Sequence, residues 1–194
     1  MKESDKMKLR TKDIILCALF AALMGIGANV APFLTIGSVP ITFQLLFAIM
    51  AGGLLGSRLG AISMMAYIFI GLAGAPVFAG FKGGIGILVS PTFGFIISFI
   101  LVAYIVGKFT ENEKENYIVA GFLVLVMNYI IGTNLMYLAM KFWAAAPEGF
   151  SYGMAWSWMV LYLPLDIVVT VISLTALPKV KAALKLKARY SVDV

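Results

Sequence analysis

Long apolar runs broken by short polar or glycine-rich segments set the pattern of this chain. Spanning a bilayer takes about 20 mainly apolar residues in one helix. On that measure the runs predict helices near 13–33, 41–57, 59–75, 91–109, 117–143 and 154–177. The second and third runs meet at Gly56-Ser57-Arg58-Leu59-Gly60, where an arginine between glycines marks a tight turn at a membrane surface. The fourth and fifth meet at a polar stretch from Lys108 to Asn116 that carries Glu111, Glu113, Lys114 and Glu115. After Pro178 the chain turns basic, with Lys179, Lys181, Lys185, Lys187 and Arg189. The expected architecture is an all-α integral membrane protein, a six-transmembrane-helix bundle forming one domain over residues 1–194.

Composition leaves little room for a soluble fold. Apolar residues make up 62% and charged residues 12%, against roughly 45–50% and about 25% in soluble domains. The net charge of +6 does not point to nucleic acid, because the cations sit at the ends of apolar runs and not in a patch interleaved with aromatics. It reads instead as orientation. With both termini cytoplasmic, all of the 15 Lys and Arg except Lys82 and Lys141 fall on the inner side. The N-terminal Lys2, Lys6, Lys8, Arg10 and Lys12 before an apolar run suggest a signal peptide. Asp13, the run's length and the lack of a clear cleavage site favour a retained helix. Cys17 is the single cysteine, which excludes an intramolecular disulfide and a thiolate metal cluster.

The missing residues narrow the chemistry further. There is no G-x-x-x-x-G-K-[ST] loop, so any ATPase must be a separate partner. The absence of histidine removes Ser-His-Asp and Cys-His catalysis and histidine metal sites. An intramembrane aspartyl protease needs two facing carboxylates, and only Asp166 lies deep in an apolar run. The expectation is a protein that is not an enzyme and that carries no cofactor or metal.

Four features remain as candidates. The first is the glycine-rich stretch from Gly71 to Gly86, followed by Ser90-Pro91-Thr92-Phe93-Gly94. It reads either as a plain outer loop or as an extracellular lid over residues 76–90, with Phe78 and Phe81 as apolar contacts, Gly83 allowing close approach, and Lys82 as a cation for an acidic group. The second is Asp166 in Tyr162-Leu163-Pro164-Leu165-Asp166. An ionisable group in a membrane helix is costly, so it is either functional or bonded to a neighbouring helix. The third is Gln44 after Val39-Pro40-Ile41-Thr42, together with Asn128. Both amides read equally as interhelical glue or ligand contacts. The fourth is the small-residue spacing Ala18/Ala22 and Ala21/Gly25 on the first helix, which allows close helix approach within the bundle or to a partner.

At the glycine-rich loop the chain resembles a known family. Pro76-Val77-Phe78-Ala79-Gly80, Gly83-Gly84, Pro91-Thr92 and Gly94 resemble the signature of BioY proteins, the biotin-specific S-components of energy-coupling factor importers. The Val39-Pro40-Ile41-Thr42 segment with Gln44, the Gly52 to Gly60 stretch, and Tyr162-Leu163-Pro164 with Asp166 match in the same order, over roughly residues 15–177. The resemblance implies a multi-pass protein of the prokaryotic cell membrane that binds biotin near its outer face. It also implies partnership with a membrane coupling subunit and two cytoplasmic ATPases, docked through Ala18 and Ala22. Two departures stand out: Phe93 and Phe95 flank Gly94 where the family often has glycine and tyrosine, and Val169 stands where it often has a lysine. Biotin would then meet Asp166 through its ureido N–H groups, Gln44 or Asn128 through its ureido carbonyl, and Lys82 through its carboxylate, or the two ends would be reversed. Another small carboxylate-bearing vitamin, or a self-sufficient proton-coupled transporter using Asp166, are the alternatives.

Overall fold

The computed structural model describes residues 9–30, 35–36, 39–111 and 116–184. Lys2, Lys6, Lys8, Glu113, Lys114, Glu115, Lys185, Lys187 and Arg189, which carry part of the charge reading, lie outside them. So does the expected extension of the first helix beyond Val30.

Among the described residues, five helices are long and apolar enough to cross a membrane: α1 Thr11–Asn29, α2 Gln44–Leu72, α3 Phe93–Glu111, α4 Tyr117–Phe142 and α5 Tyr152–Ala183. A two-residue ladder, β1 Thr35–Ile36 with β2 Val39–Pro40, links α1 to α2. A 3-10 turn at Ile85–Val89 leads into α3. The expectation of six helices is thus corrected to five. The segments expected at 41–57 and 59–75 are one element, α2.

The reason lies in Gly56, whose φ of 84° and ψ of 173° interrupt α2 without ending it. Glycine adopts that backbone at no steric cost. In a straight helix, residues eight apart are about 12 Å apart along the axis. Here a Cβ on Gly60 would stand 2.8 Å from the Gly52 Cα, so the two arms of α2 fold against each other. The Gln44 amide reaching the Tyr67 hydroxyl at 2.9 Å gives the same geometry at the far end of the arms. Close approach continues into α3. A Cβ on Gly52 would meet the Ala103 carbonyl oxygen at 2.1 Å, and one on Gly107 the Ser57 nitrogen at 2.2 Å. Small residues let these backbones touch where no hydrophobic drive separates protein from lipid. The first N–H of the second arm finds its acceptor on another helix: Ser57 donates from its backbone to Glu111 Oε1 at 2.6 Å, and its hydroxyl points at the same carboxylate. That anion also complements the positive end of the arm.

The bundle has two distinct ends. Cys17 approaches the Leu59 carbonyl at 3.5 Å, and Lys181 approaches the Thr110 carbonyl at 3.5 Å. The first turns of α1, the Gly56 bend, the end of α3 and the end of α5 therefore share one end. The start of α2, the segment between α2 and α3, and the middle of α4 and α5 build the other side of the core, where the cavity lies.

Candidate ligand-binding site

Tertiary packing leaves a cavity of about 300 Å³ where β2, the start of α2, the 78–92 segment, α3, α4 and α5 converge. Its walls are mainly apolar, formed by residues such as Leu45, Phe78, Ile96, Phe99 and Met159. Into this surface project a few polar groups, the composition expected of a small-molecule site.

Asp166 enters the cavity from α5 two residues after Pro164. Tyr129, on α4, donates its hydroxyl to Asp166 Oδ2 at 2.7 Å. A carboxylate has about four lone-pair sites, so this bond satisfies one oxygen and leaves acceptor capacity for a ligand. Gln44 and Asn128 are both buried, at 5% and 4% exposure, and both line the cavity. Each is held from behind. Gln44 Nε2 donates to Tyr67, and the Asn128 amide is fixed by the Ser98 hydroxyl at 2.6 Å. A grip on one amide atom sets the orientation of the whole group. Tyr162 donates to the Val39 carbonyl, which pins β2 against α5.

The 78–82 segment closes over this chamber. Phe78 and Lys82 pair backbone to backbone, N–H to carbonyl in both directions, at 3.0 and 3.2 Å. Phe78 turns inward, 1% exposed, with its ring edge-on to Tyr67 at 5.3 Å between centroids. Gly71 makes room for it, since a Cβ there would stand 2.2 Å from the ring. Lys82 is exposed and still borders the cavity.

Of the residues singled out from sequence, the cavity brings together Gln44, Phe78, Lys82, Asn128, Tyr162 and Asp166. It does not include Phe81, which is 64% exposed, or Gly83. Gly83 packs instead on the turn that follows α2, where a Cβ would meet the Ala75 carbonyl at 2.3 Å. Ala18 and Ala22 lie on the outer face of α1, exposed, while Ala21 and Gly25 of the second small-residue stripe face inward. Val169, the departure from the expected lysine, is buried in the main apolar core. Thr42, Ser90 and Thr92, which the sequence offers only as parts of motifs, also line the cavity, whereas Tyr129 at its wall and Tyr67 behind it are not singled out by the sequence at all.

Comparison with known proteins gives the family and the fold. The BioY family model matches residues 1–186. A putative biotin transporter, BioYB, of Bacillus subtilis is 41% identical over 172 residues, covering 85% of each chain. A biotin transporter, BioY, of Rhizobium etli is 31% identical over 170 residues, covering 85% of this chain and 90% of its own. In three dimensions the chain is similar to a crystal structure described as the S-component for biotin from an ECF-type ABC transporter, with a TM-score of 0.74 over 94% of this chain and 95% of that one. At 22% identity, that likeness speaks for the fold. With family model, relatives and architecture in agreement, the chain belongs to the BioY family.

Proposed function

We propose that this chain is a biotin-binding S-component of an energy-coupling factor importer in the plasma membrane, a transport subunit and not an enzyme. The observation that carries the reading is the convergence of Asp166, Gln44 and Asn128 in one apolar-walled cavity with Lys82 at its border. Biotin has matching parts: a ureido ring with two N–H donors and a carbonyl, an apolar thiophane body, and a carboxylate tail.

The cavity favours one of the two orientations. A carboxylate costs least to bind where water and a cation remain available, which places the tail at exposed Lys82. The ureido ring then lies inward, its N–H groups donating to Asp166 and its carbonyl accepting from Asn128 Nδ2 or from the second hydrogen of Gln44 Nε2, with Phe78 and Tyr162 against the ring system. In this pose Phe81 and Gly83 shape the covering segment without touching the ligand.

Transport requires energy that this chain has no P-loop to supply, so a membrane coupling subunit and two cytoplasmic ATPases complete the importer. The outward Ala18 and Ala22 form a low-relief stripe on which another helix can lie close.

The orientation has its own test. Replacing Lys82 with alanine is expected to weaken biotin binding roughly two- to fivefold, the range of an exposed ion pair. Biotin methyl ester, which lacks the tail charge, should bind the wild type and Lys82→Ala alike. A loss of equal size for acid and ester in a titration would place the tail elsewhere.

A further inference from the structure

The ligand reading uses Gln44 but not the groups behind it. Tyr67, which accepts from Gln44, donates in turn to the Val77 carbonyl at 3.1 Å. That carbonyl also lies 3.4 Å from Asn29 Nδ2, which is anchored on the Gly25 carbonyl one turn back at 2.9 Å. The other end of the same amide, Asn29 Oδ1, accepts the Phe81 backbone N–H at 2.8 Å. One side chain at the end of α1 thus holds both sides of the turn that covers the cavity.

The turn needs holding. Gly80 and Phe81 have φ of 74° and 55°. Glycine is indifferent to that region, but a bulky aromatic residue adopts it rarely. The Phe81 ring gives little in return, being 64% exposed and outside the cavity lining. Its N–H bond to Asn29 is the interaction that offsets the unfavourable backbone. Phe78, three residues earlier, is seated firmly between Tyr67 and Gly71, so the loss of Asn29 frees the tip of the turn and not its base.

We infer that Asn29 is a latch: a positioning residue, touching no ligand, that holds residues 77–82 over the cavity mouth and sets how long a ligand stays bound. The chain Gln44–Tyr67–Val77–Asn29 ties the latch to the cavity wall, so a ligand that orders Gln44 also firms the cover. This rests on the ligand-binding reading above, and its test separates the two.

Asn29→Leu keeps the size and removes all three hydrogen bonds, and Asn29→Ala is a second variant should leucine perturb folding. In the ligand-free purified chain, hydrogen exchange at the Phe81 amide should rise roughly three- to tenfold in either variant, the range of one neutral hydrogen bond. Exchange in the middle of α3 should stay unchanged. With biotin, dissociation should quicken by a similar factor while association does not slow. A merely structural defect would lower association and binding capacity together. Unchanged exchange at Phe81 would overturn the latch whatever the ligand does, as would equal dissociation rates. A wild-type chain that fails to bind biotin would defeat the proposed ligand while leaving the exchange result to decide the latch.

Discussion

Asp166→Asn is expected to lower the affinity of the purified chain for biotin by roughly ten- to 150-fold, the range for losing a hydrogen bond to a charged group. The local geometry explains why so conservative a change should matter. Tyr129 already occupies Oδ2, and the asparagine oxygen can continue to accept that bond. The NH2 group must then take the place of Oδ1, facing the ureido N–H groups donor to donor. Folding and yield should hardly change, because a neutral amide costs the membrane less than a carboxylate. Calorimetry on both proteins measures the difference. Unchanged affinity would remove Asp166 from the site. A variant that binds normally but loses uptake and its response to a pH gradient would identify Asp166 as a proton carrier instead.

The second large effect is expected at the opposite functional surface. Replacing both Ala18 and Ala22 with tryptophan should abolish biotin uptake in cells that contain the coupling subunit and ATPases, while binding by the isolated chain stays intact. Both alanines are exposed on α1, so the added bulk projects away from the bundle and blocks helix approach. The inward stripe acts as the internal comparison. Gly25 faces Val77, which a Cβ would meet at 3.3 Å, so bulk there should disturb the covering segment and binding itself. Equal loss of binding and uptake in the Ala18/Ala22 variant would mean that the outer stripe belongs to the bundle after all.

How far the sequence could be read depended on what each residue's cost declares. Asp166 stood out because a lone carboxylate in an apolar run is expensive wherever it points, and Gln44 and Asn128 stood out for the same reason on a smaller scale. Tyr129 and Tyr67 did not, since a tyrosine suits lipid, interface or core equally and the chain has 8 of them. Phe81 was misjudged because adjacency to Phe78 and Lys82 says nothing about side. The backbone pairing of Phe78 with Lys82 and the positive φ at Phe81 turn that ring outward, and neither is visible in the residue string. The all-α membrane character followed directly from the apolar runs. The helix count did not, because a glycine between two apolar runs can either end a helix or bend it, and Gly56 bends one. The two stripes on α1 were equally legible as small-residue patterns, but which one faces outward is decided only by how α1 lies on α2.

The most direct test of the central claim is biotin uptake by proteoliposomes containing the purified chain, measured with and without the coupling subunit and its two ATPases. A binding subunit without its own energy source should hold biotin stoichiometrically when alone and accumulate none, whether or not a proton gradient is imposed. Accumulation should begin only when the coupling module and ATP are both present. Gradient-driven accumulation by the chain alone would contradict the account, as would the absence of biotin binding by the wild-type chain.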